Sequence, residues 1–202
     1  MSPNEDEQDP PPGDEIVEEE EVDLDLGDLG PKSETVLERL QTMAFLNRGL
    51  EIVFVDERAG KEQTVTYQYK GGIVDFVKHL NTTKEPLFTK VAHFEDEDVE
   101  GGQTLDIAVQ WNTGYYEGIH GYANGISTIE GGMHVEGFKT ALTSVLNKYA
   151  RAKGLLKEKD DNLLGEDIRE GITAIVAVKL REPQFEGQTK AKLGNVPMRS
   201  FV

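Results

Sequence analysis

The sequence predicts an α+β domain in which a mixed, largely antiparallel sheet is covered by helices on one face. Three observations lead there. Residues 65–69 and 105–111 alternate apolar and polar side chains, the period of half-buried strands. Segments beginning near Ser33, Ile73 and Met133 carry apolar residues at helical spacing. Strands come in adjacent pairs rather than in a regular strand–helix alternation, and no internal repeat is visible.

The first element, SETVLERLQTMAFLNRG, places Val36, Leu37, Leu40, Met43 and Ala44 at helical spacing, with Ser33 as the expected N-cap and Gly49 as the stop. LEIVFVDERAGKEQTVTYQY follows as two strands around a glycine-containing turn, with Val65, Tyr67 and Tyr69 alternating on the second. In GGIVDFVKHLN, Ile73, Phe76, Val77 and Leu80 fall at i, i+3, i+4 and i+7, a short amphipathic helix closed by Asn81. Two further strands are expected after TTKEPLF. QTLDIAVQWN points Leu105, Ile107, Val109 and Trp111 to one face and leaves the other wet. GYYEGIHGYANG is its expected hairpin partner, weakened by glycines. The longest helix follows EGG, with a stripe of Phe138, Leu142, Val145, Leu146 and Tyr149. A helical turn in GEDIREG and an apolar strand from Ile172 to Leu180 complete the core.

Charge divides the chain at about residue 32. Of 38 Asp and Glu, 13 lie in residues 1–31, which hold no Lys or Arg; the remaining 25 acidic and 21 basic residues leave a net charge of −4 out of the total of −17. With a proline triplet, four consecutive glutamates and few large apolar residues, segment 1–32 cannot bury enough surface to offset its ordering entropy, and is expected to be a disordered acidic leader. A solvating role is the plain expectation for it, and mimicry of nucleic acid in a basic groove the sharper one. Residues 33–194 form the expected single domain, and 195–202 the start of a further helix. Cysteine is absent, which excludes disulfides and thiolate metal sites. No stretch reaches the roughly 20 apolar residues of a membrane span, so a cytoplasmic protein without membrane contact is expected.

Chemical motifs are scarce. There is no phosphate-binding G-x-x-x-x-G-K-[ST] loop, no G-x-S-x-G and no H-E-x-x-H. His79, His93, His120 and His134 lie far apart without metal-ligand spacing, so no metal site is expected. Glu95, Asp96, Glu97 and Asp98 read as a solvated strand end. EPQFEGQTKAKLGN, residues 182–195, has amides, lysines and glycines but almost no apolar residue to hold it in a core; it reads as a loop that reaches outward.

Six stretches, RLQTMAFLNRGLEI, GGIVDFVKHLN, VQWN, STIEGGMHVEGFKTAL, EDIREGITAIVAVKL and EPQFEGQTKAKLGN, occur in one order and spacing that resembles the transducer domain of the B subunit of DNA gyrase, a type IIA DNA topoisomerase, with the topoisomerase IV subunit as close relative. The resemblance runs from about Thr35 to Val202. It implies the ribosomal protein S5 domain 2-like fold and a domain that couples ATP binding and hydrolysis to DNA strand passage. It implies that Gln188 and Lys190, in the Gln-Thr-Lys motif, contact the γ-phosphate of ATP, with Lys190 as the catalytic residue. A compact ammonium and a neutral amide donor suit a terminal phosphate. The pocket itself, with its Mg2+, belongs in the family to a preceding ATPase domain whose motifs do not occur in residues 1–34. The family also continues beyond MRSFV. The resemblance therefore implies a fragment or truncated form, inactive and without bound nucleotide when alone, whose parent works with DNA, the gyrase A subunit and a second B subunit. The alternative is a stand-alone, catalytically silent binding or regulatory protein whose acidic arm mimics DNA. Met133 stands where the family usually has Thr, and Pro197 where its next helix starts.

Overall fold

The computed structural model describes residues 33–202; the acidic segment 1–32, the side chain of Ser33 and the expectations attached to them lie outside the described residues. Helix α1 (Ser33–Leu46) leads into a hairpin of β1 (Glu51–Asp56) and β2 (Gln63–Gln68), paired antiparallel from Glu51↔Gln68 to Asp56↔Gln63. Helix α2 (Ile73–Leu80) follows the glycine pair, as its apolar spacing requires. Gly72 has φ +56 and lies against Arg48, so the tight turn into α2 uses a conformation that suits glycine.

The main sheet contains β3 (Ala92–Asp98), β4 (Gln103–Trp111), β5 (Gly118–Ala123), β6 (Ile126–Thr128) and β7 (Ile172–Leu180), in the order β3-β4-β7-β5-β6. All its pairings are antiparallel except β5 with β7. The hairpin partner of β4 is thus β3, not GYYEGIHGYANG. The latter stretch supplies β5, which lies on the far side of β7 and runs parallel to it. The cause is visible in β7: AIVAV is apolar at consecutive positions, the mark of a central strand covered on both faces and paired on both edges. The acidic run Glu95–Asp98 forms the body of β3, an edge strand whose charges discourage pairing with another chain.

The α+β class and the largely antiparallel sheet match the sequence reading; the helices, however, occupy both faces. On one face Leu105, Ile107, Val109, Ala174, Val176 and Val178 pack with Phe138 of α3 (Met133–Ala152) and Met198 of α5 (Pro197–Phe201). On the other, Ala108 of β4, Ile175 of β7 and Tyr122 of β5 form a second core with Phe45, Ile73, Phe76 and Val77 from α1 and α2. Phe45 stacks between Tyr69 and Phe76, at 3.6 and 4.6 Å between ring centroids. The face expected to be wet is therefore dry in its middle. Fully burying each such side chain contributes about 1.5–3 kcal/mol.

At one end of this second core, buried polar groups satisfy one another. Thr173 Oγ1 donates to Asn81 Oδ1 (2.7 Å), Asn81 Nδ2 donates to Gln110 Oε1 (2.9 Å), and Gln110 Nε2 donates to the Phe88 carbonyl (2.9 Å). The network ties the segment after α2 to β4 and β7. On α3 the buried stripe contains Phe138, Asn147 and Ala150, whereas Val145 and Tyr149, expected on it, are more than half exposed. Asn147 exchanges two hydrogen bonds with the backbone of Leu163, so this side of α3 is covered by the connection to α4 (Gly165–Arg169). No helix of the described residues is long and apolar enough to cross a membrane.

Candidate functional site

The 182–195 stretch is a narrow hairpin rather than a free loop. β8 (Phe185–Glu186) pairs antiparallel with β9 (Lys192–Leu193), in the register Phe185↔Leu193 and Glu186↔Lys192. Asn195 clamps its base: the Gln184 N–H donates to Asn195 Oδ1 at 2.6 Å, and Asn195 Nδ2 donates to the Glu182 carbonyl at 3.0 Å. The scarcity of apolar residues is misleading here. Leu193 is fully buried with Phe138 and Met198, and Ala191 is nearly so.

Backbone contacts weld this base to the start of α3. The Glu130 N–H donates to the Ala191 carbonyl (2.9 Å), and the Leu193 N–H donates to the Gly131 carbonyl (3.1 Å). Gly132 forms a parallel bridge to Leu193, and a Cβ there would sit 2.3 Å from the Leu193 carbonyl oxygen. The EGG motif before α3 is therefore a packing device for β9. Next to it, His134 is wholly buried, its Nε2 at 3.2 Å from Thr128 Oγ1, and burial lowers its pKa to about 4, so it is neutral. Its Nδ1 has no hydrogen-bond partner. Gly121 leaves the room for this ring, since a Cβ there would approach Nε2 to 2.8 Å. Met133 packs, half-buried, against the core of this face.

At the tip, Gly187, Gln188, Thr189 and Lys190 are exposed. Gly187 has φ +75 and Lys190 φ +55, a left-handed conformation that costs a non-glycine residue roughly 1–2 kcal/mol. Such strain gathers at binding and switching positions. The Lys190 N–H closes the turn on the Gly187 carbonyl at 3.5 Å, and its Nζ stands 6.0 Å from the Phe185 ring centroid. Among the described residues, no side-chain hydrogen bond or ion pair engages Gln188 or Lys190. Lys192 differs: it pairs with Glu186 Oε2 at 3.0 Å, and this bond raises its pKa. The fold thus spends Lys192 within the hairpin and presents the amide of Gln188 and the ammonium of Lys190 outward, where they can meet an anionic oxygen.

Among the described residues, two larger clefts lie away from the hairpin tip. One, of about 680 Å3, runs along α3 past Lys139, Lys148 and Arg151, but the Arg151 fork is already bonded to Asn162, Lys157 and Asp160 of the following loop. The other, of about 920 Å3, lies between the end of α1 and the sheet, beside Glu95, Asp106 and Tyr122. Neither contains Gln188 or Lys190.

Relatives place this architecture. The DNA gyrase B protein of Streptomyces coelicolor is 54% identical over 186 residues, which cover 84% of this chain and 27% of the relative. That of Mycobacterium tuberculosis is 47% identical over 199 residues, covering 84% of this chain and 29% of the relative. The chain thus spans less than a third of the length of these curated relatives. Among solved structures, the 43K ATPase domain of Thermus thermophilus gyrase B, in complex with an aminocoumarin, superposes with a TM-score of 0.74 at 36% identity, over 86% of this chain and 46% of that one. The model of the DNA gyrase B family matches residues 72–202, from the glycine turn before α2 through the Gln-Thr-Lys hairpin to the last residue, and the chain belongs to that family.

Proposed function

We propose that this chain is the coupling domain of the B subunit of an ATP-dependent type IIA DNA topoisomerase, and that Gln188 and Lys190 contact the γ-phosphate of ATP held by an adjoining ATPase domain. The observation that carries this reading is the division of labour within the hairpin. Ala191 and Leu193 are buried, while Gln188 and Lys190 are exposed on a strained turn and, among the described residues, engage no side-chain hydrogen bond or ion pair. A mobile surface lysine needs no such support. Mg2+ and the attacking water belong to the ATPase domain. Here Lys190 supplies positive charge toward the transferring phosphoryl group, and Gln188 a neutral donor beside it. In the complete enzyme the partners are DNA, the gyrase A subunit and a second B subunit, and residues 33–194 act as one unit.

The test places residues 33–202 in the Streptomyces coelicolor protein in place of its own segment and measures ATP hydrolysis. Lys190→Ala is expected to lower kcat by roughly 10²–10³, the scale of losing one preorganised electrostatic contact. Gln188→Ala is expected to cost less, because a neutral donor is weaker than a charged one. Lys192→Ala, which breaks only the pair with Glu186, reports the effect of hairpin order alone. Equal losses for Lys190→Ala and Lys192→Ala would sink the phosphate-contact assignment.

A further inference from the structure

Strand pairing brings together three side chains that the sequence keeps apart. His93 and Glu95 are two residues apart on β3 and so point to the same face of the sheet. Asp106 on β4 is the direct cross-strand partner of Glu95. His93 Nε2 lies 2.7 Å from Asp106 Oδ1 and 3.5 Å from Glu95 Oε1, and the three donor atoms all lie within 4.8 Å of one another. From these positions we infer that His93, Glu95 and Asp106 form a binding site for a divalent transition-metal ion such as Zn2+.

The spacing suits such an ion. Zn–N and Zn–O bonds of about 2.1 Å at tetrahedral angles set donor atoms roughly 3.4 Å apart. The His93–Glu95 separation already has that value, and the His93–Asp106 pair must open by roughly 0.7 Å, within the reach of one side-chain rotation. An imidazole nitrogen with two carboxylates is a donor set for Zn2+ and its neighbours rather than for Mg2+ or Ca2+.

The surroundings favour added positive charge. Two carboxylates directly opposite each other on neighbouring strands repel. Arg48 is a weak competitor for Glu95: its Nη1 stands 3.6 Å away, and both side chains are more than half exposed, the situation in which an ion pair contributes little. Glu95 and Asp106 also line the 920 Å3 cleft beside α1, which offers the ion an entry path and room for water in its remaining positions.

The experiment titrates the full chain with ZnCl2 by calorimetry and with CoCl2 by visible absorption. One saturable site is expected, distinct in stoichiometry from weak multiple binding by the acidic residues 1–31. His93→Ala and Asp106→Asn should each weaken it at least tenfold, the scale on which even supporting groups alter metal affinity. His79→Ala, which alters an exposed histidine outside the cluster, should leave it unchanged. Asp106→Asn preserves shape and hydrogen bonding, so its loss of binding cannot be read as unfolding; thermal melts without metal check each variant. Absence of a saturable single site overturns the assignment, and so does a site whose affinity survives both substitutions.

Discussion

Replacing Gly132 by alanine tests whether the hairpin is rooted in α3 as described. A Cβ there falls 2.3 Å from the Leu193 carbonyl oxygen and 2.5 Å from its nitrogen, where real contacts stay above 3.0 Å. Both atoms are backbone, so no rotamer change relieves the overlap, and β9 must move by about 0.7 Å. The residue also has φ +128, a strain of order 1–3 kcal/mol for alanine. Displacing β9 weakens the Leu193-to-Gly131 and Glu130-to-Ala191 hydrogen bonds, each worth about 0.5–1.5 kcal/mol. The sum is a loss of roughly 2–6 kcal/mol. Gly125 provides the comparison, with φ +79 and nothing within 4 Å, so Gly125→Ala carries only the conformational term of roughly 1–2 kcal/mol. Urea unfolding gives the two losses, and hydrogen exchange at the Leu193 and Glu130 amides locates them. If Gly132→Ala costs no more than Gly125→Ala, or leaves the Leu193 amide equally protected, β9 is not held by this bridge.

His134 should make stability depend on pH. Its folded pKa of about 4 lies below the ordinary 6.5, so the unfolded chain takes up the proton first; stability is intact above pH 6.5 and falls as pH drops toward 4, by about 2 kcal/mol at pH 5. His134→Leu should remove that part of the slope between urea midpoints at pH 7 and pH 5, and an unchanged slope would assign it to other groups. Thr173→Val strips the hydroxyl shared by Asn81 and Asn112 and leaves buried amides short of partners, at about 1–3 kcal/mol in the same assay. Thr173→Ser, which keeps the hydroxyl, should lose less, and equal stability of the two variants would mean the network adds nothing.

Elements with a strong period and a clear stop were legible in the sequence. α2, with Ile73, Phe76 and Val77 buried after a glycine turn, is one, and β4 with its alternating apolar side chains is another. β3 was not, because AHFEDED is an edge strand with exposed side chains along most of its length, and its one large apolar residue, Phe94, is itself exposed and starts no alternation. Without β3, β4 lacks a neighbour, and the β5 stretch takes that place by default. The signal that resolves both was present in β7, whose unbroken apolar run requires neighbours on two edges and covers on two faces. His93, Glu95 and Asp106 were illegible for the same reason: only the β3–β4 register makes them neighbours.

The Gln-Thr-Lys stretch shows a different limit. Its polar composition correctly marks Gln188 and Lys190 as exposed, yet says nothing of Leu193, whose single apolar side chain fixes the hairpin to the core. That anchor decides what a contact at Lys190 would do in the proposed reading. A pull on the tip passes along two residues to β9, which is bridged at Leu193 to Gly132, the residue before α3. α3 is 20 residues long, roughly 30 Å at 1.5 Å per residue, and its far half carries the Asn147 contact to the segment leading into β7. A helix of that length bends little under a local load, so a displacement of a fraction of an ångström at its N-terminus would tilt it as a body. A loop tethered only by exposed residues would absorb the same displacement in its own torsions and transmit nothing. In the proposed reading the buried leucine, rather than the lysine, would therefore be what turns a phosphate contact into mechanical coupling.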